Sequence, residues 1–336
     1  MSDQAAPGMG WEEAYLGGSP QAEQKVFAEI MPQLEQIQTV VAKGQGAAVR
    51  RGFHNKGTSL RIAFEVSTDL PEHLQVGFLK PGARYEGFAR FSRSQSKFAA
   101  DSALDQRGFA FRIETDDGPQ DFLFSNTPVS YAEDPVTFLK GGLIFASSSK
   151  ATIPIKLMLA FGLRKGIRIL KDILGSPDRG ISFTSQRFWT RVAFQIGFSA
   201  ASFTVVPVPD EPVVVADQKP DYLTHHLAEQ LRQGERRFVL NTQLFVSEDK
   251  TPIENSNGAW NEEDSPLVPI GEVILVQQDL DSEAAKALAE RIESTEAFNP
   301  WNTRHLRPLG AMNRSRKPAY DNSVRARGAS SLERES

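Results

Sequence analysis

The fold is decided by residues 85–126, YEGFARFSRSQSKFAADSALDQRGFAFRIETDDGPQDFLFSN. Within this stretch, the runs at 85–91, 108–114 and 120–126 alternate aromatic or aliphatic residues with small or polar ones, and Gly, Asp and Ser separate the runs. Alternation with turn residues between the runs predicts half-buried strands. The stretch therefore predicts an antiparallel sheet, and the run LRIAFEV at 60–66 adds a strand to it.

The same alternation returns later in the chain. It appears in FTVVPV (203–208), RFVLNTQLFV (237–246) and GEVILVQQ (271–278). A second set of strands with this spacing can complete the first sheet, because closure removes unpaired strand edges. We therefore expect one closed β-barrel rather than two separate sheets.

Three segments have the three-to-four spacing of apolar residues that is typical of helices. They are 20–43, 152–175 and 282–294. Pro32 is expected to kink or divide the first of them, since proline cannot donate a backbone hydrogen bond. The predicted fold class is thus α+β, an antiparallel β-barrel with helical elaborations.

The pattern also suggests a division of the chain into three parts. We expect an N-terminal helical arm at 1–45, a barrel core at 46–278 with a helical insertion near 152–175, and a C-terminal part at 279–336 that consists of helices and a frayed tail.

The composition of the chain excludes several classes of function. The 336 residues include 38 Lys and Arg against 42 Asp and Glu, a formal net charge of −4, which argues against a nucleic-acid partner. The absence of cysteine excludes disulfides, thiolate-ligated haem, iron–sulfur clusters and cysteine nucleophiles. The polar, acidic N-terminus does not resemble a signal peptide, so we expect a cytoplasmic protein.

Five motifs follow one another along the chain. They are RGFHNKG (51–57), FARFSRS (88–94), DQRGFAFRIETDDG (105–118), FSNTPVSYAEDPVTF (124–138) and RSRKPAYDNSVRARG (314–328). In this order they resemble the haem catalase family, and KPDYLTHHL (219–227), SPLVPIGEVIL (265–275) and FNPWN (298–302) extend the resemblance over residues 46–328. The family resemblance implies a catalase-type barrel with one haem b held between the barrel wall and the 314–328 helix.

The resemblance also assigns roles on the peroxide side of the haem. His54 matches the histidine that moves the peroxide proton, a task that suits neutral imidazole, and Ser92 matches a serine that hydrogen-bonds it. An isolated histidine would more often be structural; the ordered motifs reverse that interpretation. Phe138 matches an aromatic residue that packs on the haem face.

On the other side, Tyr320 matches the axial iron ligand, and Arg316 lies four positions earlier, on the same face of a helix. A neighbouring guanidinium favours the phenolate form of such a ligand. Pro318 would fit best in the first turn of that helix. Arg51, Arg90 and Arg327 match the arginines that hold the two propionates.

One position departs from the family pattern. Where catalases have two asparagines before Thr-Pro, this chain has Ser125 and Asn126. Strict alignment places Ser125 at the peroxide, and adjacent strand residues point to opposite faces, so only one can take the role. We predict Asn126, because its amide can both donate and accept a hydrogen bond and a β-bulge would turn it toward the site.

The function that the resemblance implies is a haem-dependent peroxidase. It would reduce hydrogen peroxide or an organic hydroperoxide with a small organic or lipid co-substrate, and its catalase activity would be weaker because we expect a more open pocket. Two alternatives stay open, a haem enzyme that rearranges hydroperoxides, as allene oxide synthases do, and a non-catalytic haem-binding or sensor protein. Homo-oligomerisation is also left open.

The segment IPIKLMLAFGLRKGIRILKDIL (153–174) is apolar and basic. Its apolar runs are shorter than the roughly 20 residues of a membrane span. The favoured interpretation is a helix packed on the barrel with a solvated basic face. The alternative is a helix that lies on anionic lipid, which would make lipid hydroperoxides natural substrates.

Overall fold

A computed structural model describes residues 8–45, 53–54, 56–94, 100–103, 105–175, 180–215, 219–295 and 298–326. Its strands are β1 (Gly57–Val66), β2 (Arg84–Arg93), β3 (Arg107–Thr115), β4 (Gly118–Ser125), β5 (Phe188–Trp189), β6 (Phe194–Ile196), β7 (Ser199–Val208), β8 (Arg236–Leu244), β9 (Val268–Leu275) and β10 (Leu306–Pro308).

All of the strand pairings are antiparallel, and the sheet closes on itself. The order β7-β5-β4-β3-β2-β1-β9-β8 returns to β7 through the β7–β8 pairing, which gives an eight-stranded barrel. Strands β6 and β10 extend the sheet beside the end of β7 that β5 leaves unpaired. The predicted closure of the first strand set by the second is confirmed.

The helices are α1 (Pro20–Gln45), α2 (Pro135–Ser147), α3 (Ile153–Phe161), α4 (Leu163–Leu174), α5 (Tyr222–Gln233), α6 (Glu283–Ser294) and α7 (Ala311–Ala326). Of the two outcomes expected of Pro32, a kink or a division, the division does not occur, because α1 runs through Pro32. The predicted helical insertion is present as α3 and α4, which meet at Gly162 (φ 80°). Sequence analysis missed α2 and α5.

The barrel interior is filled by phenylalanine. On β3, Phe109, Phe111 and Ile113 point inward and are buried, and the rings of Phe91 and Phe109 stack with centroids 4.6 Å apart. Full burial of each such side chain contributes about 1.5–3 kcal/mol. Because strand residues alternate between faces, the small residues Gly108 and Ala110 of β3 lie on the outer face. Their size leaves room outside the barrel wall.

Helices pack over this outer face. α1 packs against α2 and α7. Ile37 and Val41 of α1 are fully buried and share an apolar cluster with Leu139 of α2. In the part of the chain that the structure describes, no helix is both long and apolar enough to cross a membrane.

Candidate functional site

A cavity of about 1070 Å³ lies between the outer face of the barrel and the helices. Its lining includes Gly108 and Ala110 from the barrel, Met31 from α1, Phe138 from α2, Ile173 from α4, and Arg316 and Tyr320 from α7. Ligand and cofactor sites commonly measure about 300–1,000 Å³, so this space can take a large ligand.

His54 lines the cavity and contacts Ser92, which is not part of the lining. The Nδ1 atom of His54 lies 2.9 Å from Ser92 Oγ. The imidazole lies against Gly108, where a Cβ atom would come within 2.8 Å of His54 Cε1 and 2.7 Å of Ser92 Oγ. Glycine is therefore required at 108 for the two side chains to approach each other. The structure brings together the histidine and serine that sequence analysis had paired.

The backbone of His54 is held in an uncommon conformation. Its φ of 57° lies in the left-handed region, which costs a residue other than glycine about 1–2 kcal/mol. Arg90 Nη1 donates a hydrogen bond to the carbonyl oxygen of His54 at 2.9 Å, which stabilises this geometry.

Arg90 has a carboxylate partner within this chain. Its Nε lies 2.9 Å from Glu293 Oε1, and its side chain is buried, so its charge is balanced by a carboxylate of this chain. Arg90 lines the cavity, and its hydrogen bond to the His54 carbonyl helps to position His54, while its role at a propionate stays a prediction. The other two arginines expected at propionates, Arg51 and Arg327, lie outside the described residues.

The prediction that Asn126 faces the site is wrong. Ser125 lines the cavity, whereas the Oδ1 of Asn126 accepts from the backbone N–H of Arg107 at 2.7 Å and its Nδ2 donates to Gln186 Oε1 at 3.0 Å. The β3–β4 register runs without a bulge to the pair Gly108–Ser125. Strand alternation therefore turns Ser125 toward His54 and Asn126 away.

Arg316 and Tyr320 lie together on α7 and face the cavity. Arg316 Nη2 lies 3.4 Å from the hydroxyl oxygen of Tyr320, and its guanidinium carbon lies 5.8 Å from the centroid of the tyrosine ring. The helix begins at Ala311, so Pro318 lies in its middle and not in its first turn as predicted. The four-residue spacing of Arg316 and Tyr320 still places both on one face.

Arg191 is a cavity residue that sequence analysis missed. It lies between β5 and β6 with φ 59°, and its Nη1 donates to Gln106 Oε1 at 3.1 Å and to Thr127 Oγ1 at 3.3 Å. Burial, reinforced by the positive charge of Arg316, lowers the pKa of Arg191 to about 10. Within the described residues, neither Arg191 nor Arg316 pairs with a carboxylate of this chain, so the two guanidiniums favour an anionic ligand.

An aromatic wall completes the site. Phe138 stacks on Tyr131 with centroids 5.3 Å apart and contacts Phe53 at 5.8 Å. The Tyr131 hydroxyl donates to the backbone oxygen of Phe138 at 2.6 Å, and burial raises the pKa of Tyr131. Tyr131 is therefore held as a neutral phenol with its hydroxyl engaged by the backbone, whereas the Tyr320 hydroxyl lies beside the Arg316 guanidinium.

Comparison with known proteins points to one family. The family model Catalase matches residues 31–151. The chain is 26% identical over 251 residues to the catalase of Methanosarcina barkeri, an alignment that covers 67% of this chain and 49% of that protein. It is also 26% identical over 253 residues to catalase-A of Dictyostelium discoideum, covering 67% and 50% of the two chains.

The fold matches as well. The solved structure of catalase A from Saccharomyces cerevisiae superposes with a TM-score of 0.69 at 19% identity, covering 98% of this chain and 69% of that one. At this identity, the superposition shows the fold alone. The chain spans about half the length of the two curated catalases that it matches.

Proposed function

Because the chain belongs to the catalase superfamily, we propose that it is a haem-dependent peroxidase with weaker catalase activity. It would reduce hydrogen peroxide or an organic hydroperoxide with an organic electron donor. The observation that carries the proposal is one cavity lined both by His54, whose imidazole contacts the Ser92 hydroxyl, and by a guanidinium–phenol pair, Arg316 with Tyr320.

The residues present fit a haem b. Tyr320 would supply a phenol oxygen to the haem iron, the kind of ligand that catalases use. Arg316 and Arg191 supply positive charge for the phenolate and for the carboxylates of the macrocycle, and Phe138 offers an aromatic face for it. When bound, the haem would supply the iron that takes up peroxide oxygen and exchanges electrons with the donor.

The side chains of the protein would then transfer the protons of the reaction. His54 accepts the proton of the incoming hydroperoxide and returns it to the departing oxygen, as a general base and then a general acid. Ser92 fixes the imidazole: when His54 Nδ1 donates to Ser92 Oγ, the other ring nitrogen is left unprotonated and able to accept. Ser125, on the same wall, offers a hydroxyl that can donate to or accept from the peroxide.

The lining of the cavity favours organic molecules over hydrogen peroxide alone. Met31, Leu34 and Ile173 give apolar walls to the cavity, which must also hold the haem. An organic donor or an apolar hydroperoxide would bury its hydrocarbon part there. The same lining also suits a hydroperoxide-rearranging enzyme, which needs no donor.

Turnover assays on haem-loaded protein separate these functions. Guaiacol and cumene hydroperoxide are supplied together and singly, and a fatty-acid hydroperoxide is supplied alone. A peroxidase consumes cumene hydroperoxide only when guaiacol is present and evolves little oxygen from hydrogen peroxide. Donor-independent loss of the fatty-acid hydroperoxide would instead identify a rearranging enzyme, and rates no greater than those of free haem would contradict both.

A further inference from the structure

The α3–α4 strip is an exposed row of large apolar residues on the two helices that cover the cavity. It consists of Ile155, Leu159, Leu163, Ile167 and Leu174. These are five of the twelve exposed large apolar residues in the described part of the chain, and Leu159 is 82% exposed. Isolated exposed apolar residues are common on soluble proteins, whereas a contiguous group marks an interaction surface.

The strip lies in a strongly basic part of the chain. Residues 135–175 contain seven Lys or Arg and one Asp, a formal net charge of +6 in a chain whose total is −4. Lys165 and Arg168 pair with Glu133, but Lys156, Arg164 and Lys171 pair with no carboxylate in the region that the structure describes. These three cations are therefore available to an anionic partner.

On α4, the helical spacing places the exposed apolar, the basic and the cavity-lining side chains on different faces. Leu163, Ile167 and Leu174 fall on one face, because they are four and eleven residues apart, and all three are exposed. Arg164 and Lys171, seven residues apart, form the basic edge of that face. On its other side, Leu170 and Ile173 line the cavity. Leu174 is both exposed and part of the lining, so the strip is continuous with the cavity wall.

We propose that the α3–α4 strip docks on the surface of an anionic lipid bilayer. An apolar face bordered by Lys and Arg is the arrangement of helices that lie in the bilayer interface. A second copy of this chain fits the strip less well, because a two-fold interface would bring two strongly basic surfaces together, and like charges across an interface repel. The docked orientation turns the Leu174 end of the cavity toward the lipid. Docking does not depend on haem or on the proposed peroxidase activity.

Vesicle co-sedimentation tests the docking. The 336-residue chain, with and without haem, is mixed with phosphatidylcholine vesicles and with vesicles of equal parts phosphatidylcholine and phosphatidylglycerol. We expect binding to the phosphatidylglycerol vesicles, weakened by salt. Arg164→Gln with Lys171→Gln should lower the partition coefficient roughly thirtyfold, at about 1 kcal/mol per residue. Leu159→Ser with Leu163→Ser should lower it roughly tenfold or more.

Phe198→Ser is the matched control, because Phe198 is also 82% exposed but lies between β6 and β7, outside the strip. It should bind as the parent does. Equal recovery of the parent on both kinds of vesicle would overturn the proposal, and so would an equal loss in Phe198→Ser. A third result would also overturn the proposal: the Leu159→Ser, Leu163→Ser variant binds vesicles as the parent does, but analytical ultracentrifugation shows that the substitutions convert a dimer into a monomer.

Discussion

His54 Nδ1 lies 2.9 Å from Ser92 Oγ, although the two residues are 38 positions apart in the chain. The contact forms because β2 carries Ser92 beside Gly108 of β3, and Gly108 leaves space for the imidazole. A histidine fixed in this way on the wall of a large cavity is placed to move a proton.

Replacement of His54 tests that role. His54→Ala should slow the reaction of the haem-loaded protein with peroxide by roughly 10²–10⁴-fold, the loss expected for a general acid–base. Stopped-flow spectroscopy measures the rate, and the haem absorbance measures loading, which should not change. His225→Ala, on the exposed face of α5, is the matched control and should react as the parent does. A His54→Ala variant as fast as the parent would refute the assignment.

Gly108 tests the geometry without removing a functional group. Gly108→Ala places a methyl group within 3 Å of both His54 and Ser92, which must displace the imidazole. A displacement of about 1 Å can cost roughly 100-fold in rate, so we expect slower peroxide reaction with normal haem loading. Gly234→Ala is the control, since a Cβ there comes no closer than 4.0 Å to another group. An unchanged rate in Gly108→Ala would show that the position of the ring is not critical.

Substitutions of Ser125 and of Asn126 should have opposite effects, one on the rate of the peroxide reaction and the other on stability. Asn126→Ala loses the hydrogen bonds to the Arg107 backbone and to Gln186 inside the protein, so it should lower the free energy of unfolding by about 1–3 kcal/mol. Its rate per folded, haem-loaded molecule should stay near that of the parent. Ser125→Ala should show the reverse pattern, a slower peroxide reaction with nearly unchanged stability. Thermal melts and stopped-flow rates decide, and a rate loss confined to Asn126→Ala would restore the sequence prediction.

Arg191 should destabilise the haem-free protein and strengthen haem binding. The pKa of Arg191 is lowered to about 10, so its charged guanidinium lowers the free energy of unfolding at every pH below that value. This penalty shrinks as the pH rises from about 10 toward the ordinary pKa of arginine. Arg191→Met should therefore raise the stability of the haem-free protein at neutral pH by about 1–3 kcal/mol. The same variant should bind haem more weakly. A loss of haem-free stability would contradict this account.

Much of the fold and site could be predicted because the deciding signals are local. Alternation over residues 85–126 predicts the strands, and the spacing of Arg316 and Tyr320 places both on one helix face. α2 was missed although its start is encoded locally: Asp134 caps it by accepting from the N–H of Thr137 at 2.7 Å, and Pro135 follows.

Other features depend on contacts distant in sequence. Arg90 is paired with Glu293, 203 positions later, so no motif around Arg90 reveals that its charge is balanced. Arg191 lies in a connection without a recognised motif, and only the closed barrel brings it near Arg316. The prediction of Asn126 was wrong because it required a β-bulge, whereas the β3–β4 register is regular and follows strand alternation.

The absorption spectrum of the protein titrated with ferric haem tests the central claim most directly. Stoichiometric binding with a Soret band and the high-spin ferric spectrum of a tyrosinate ligand, lost in Tyr320→Phe, is the predicted result. Tyr131→Phe should keep that spectrum, because Tyr131 is a buried neutral phenol bonded to the Phe138 carbonyl. No Soret band above that of free haem, or an unchanged tyrosinate spectrum in Tyr320→Phe, would contradict the account.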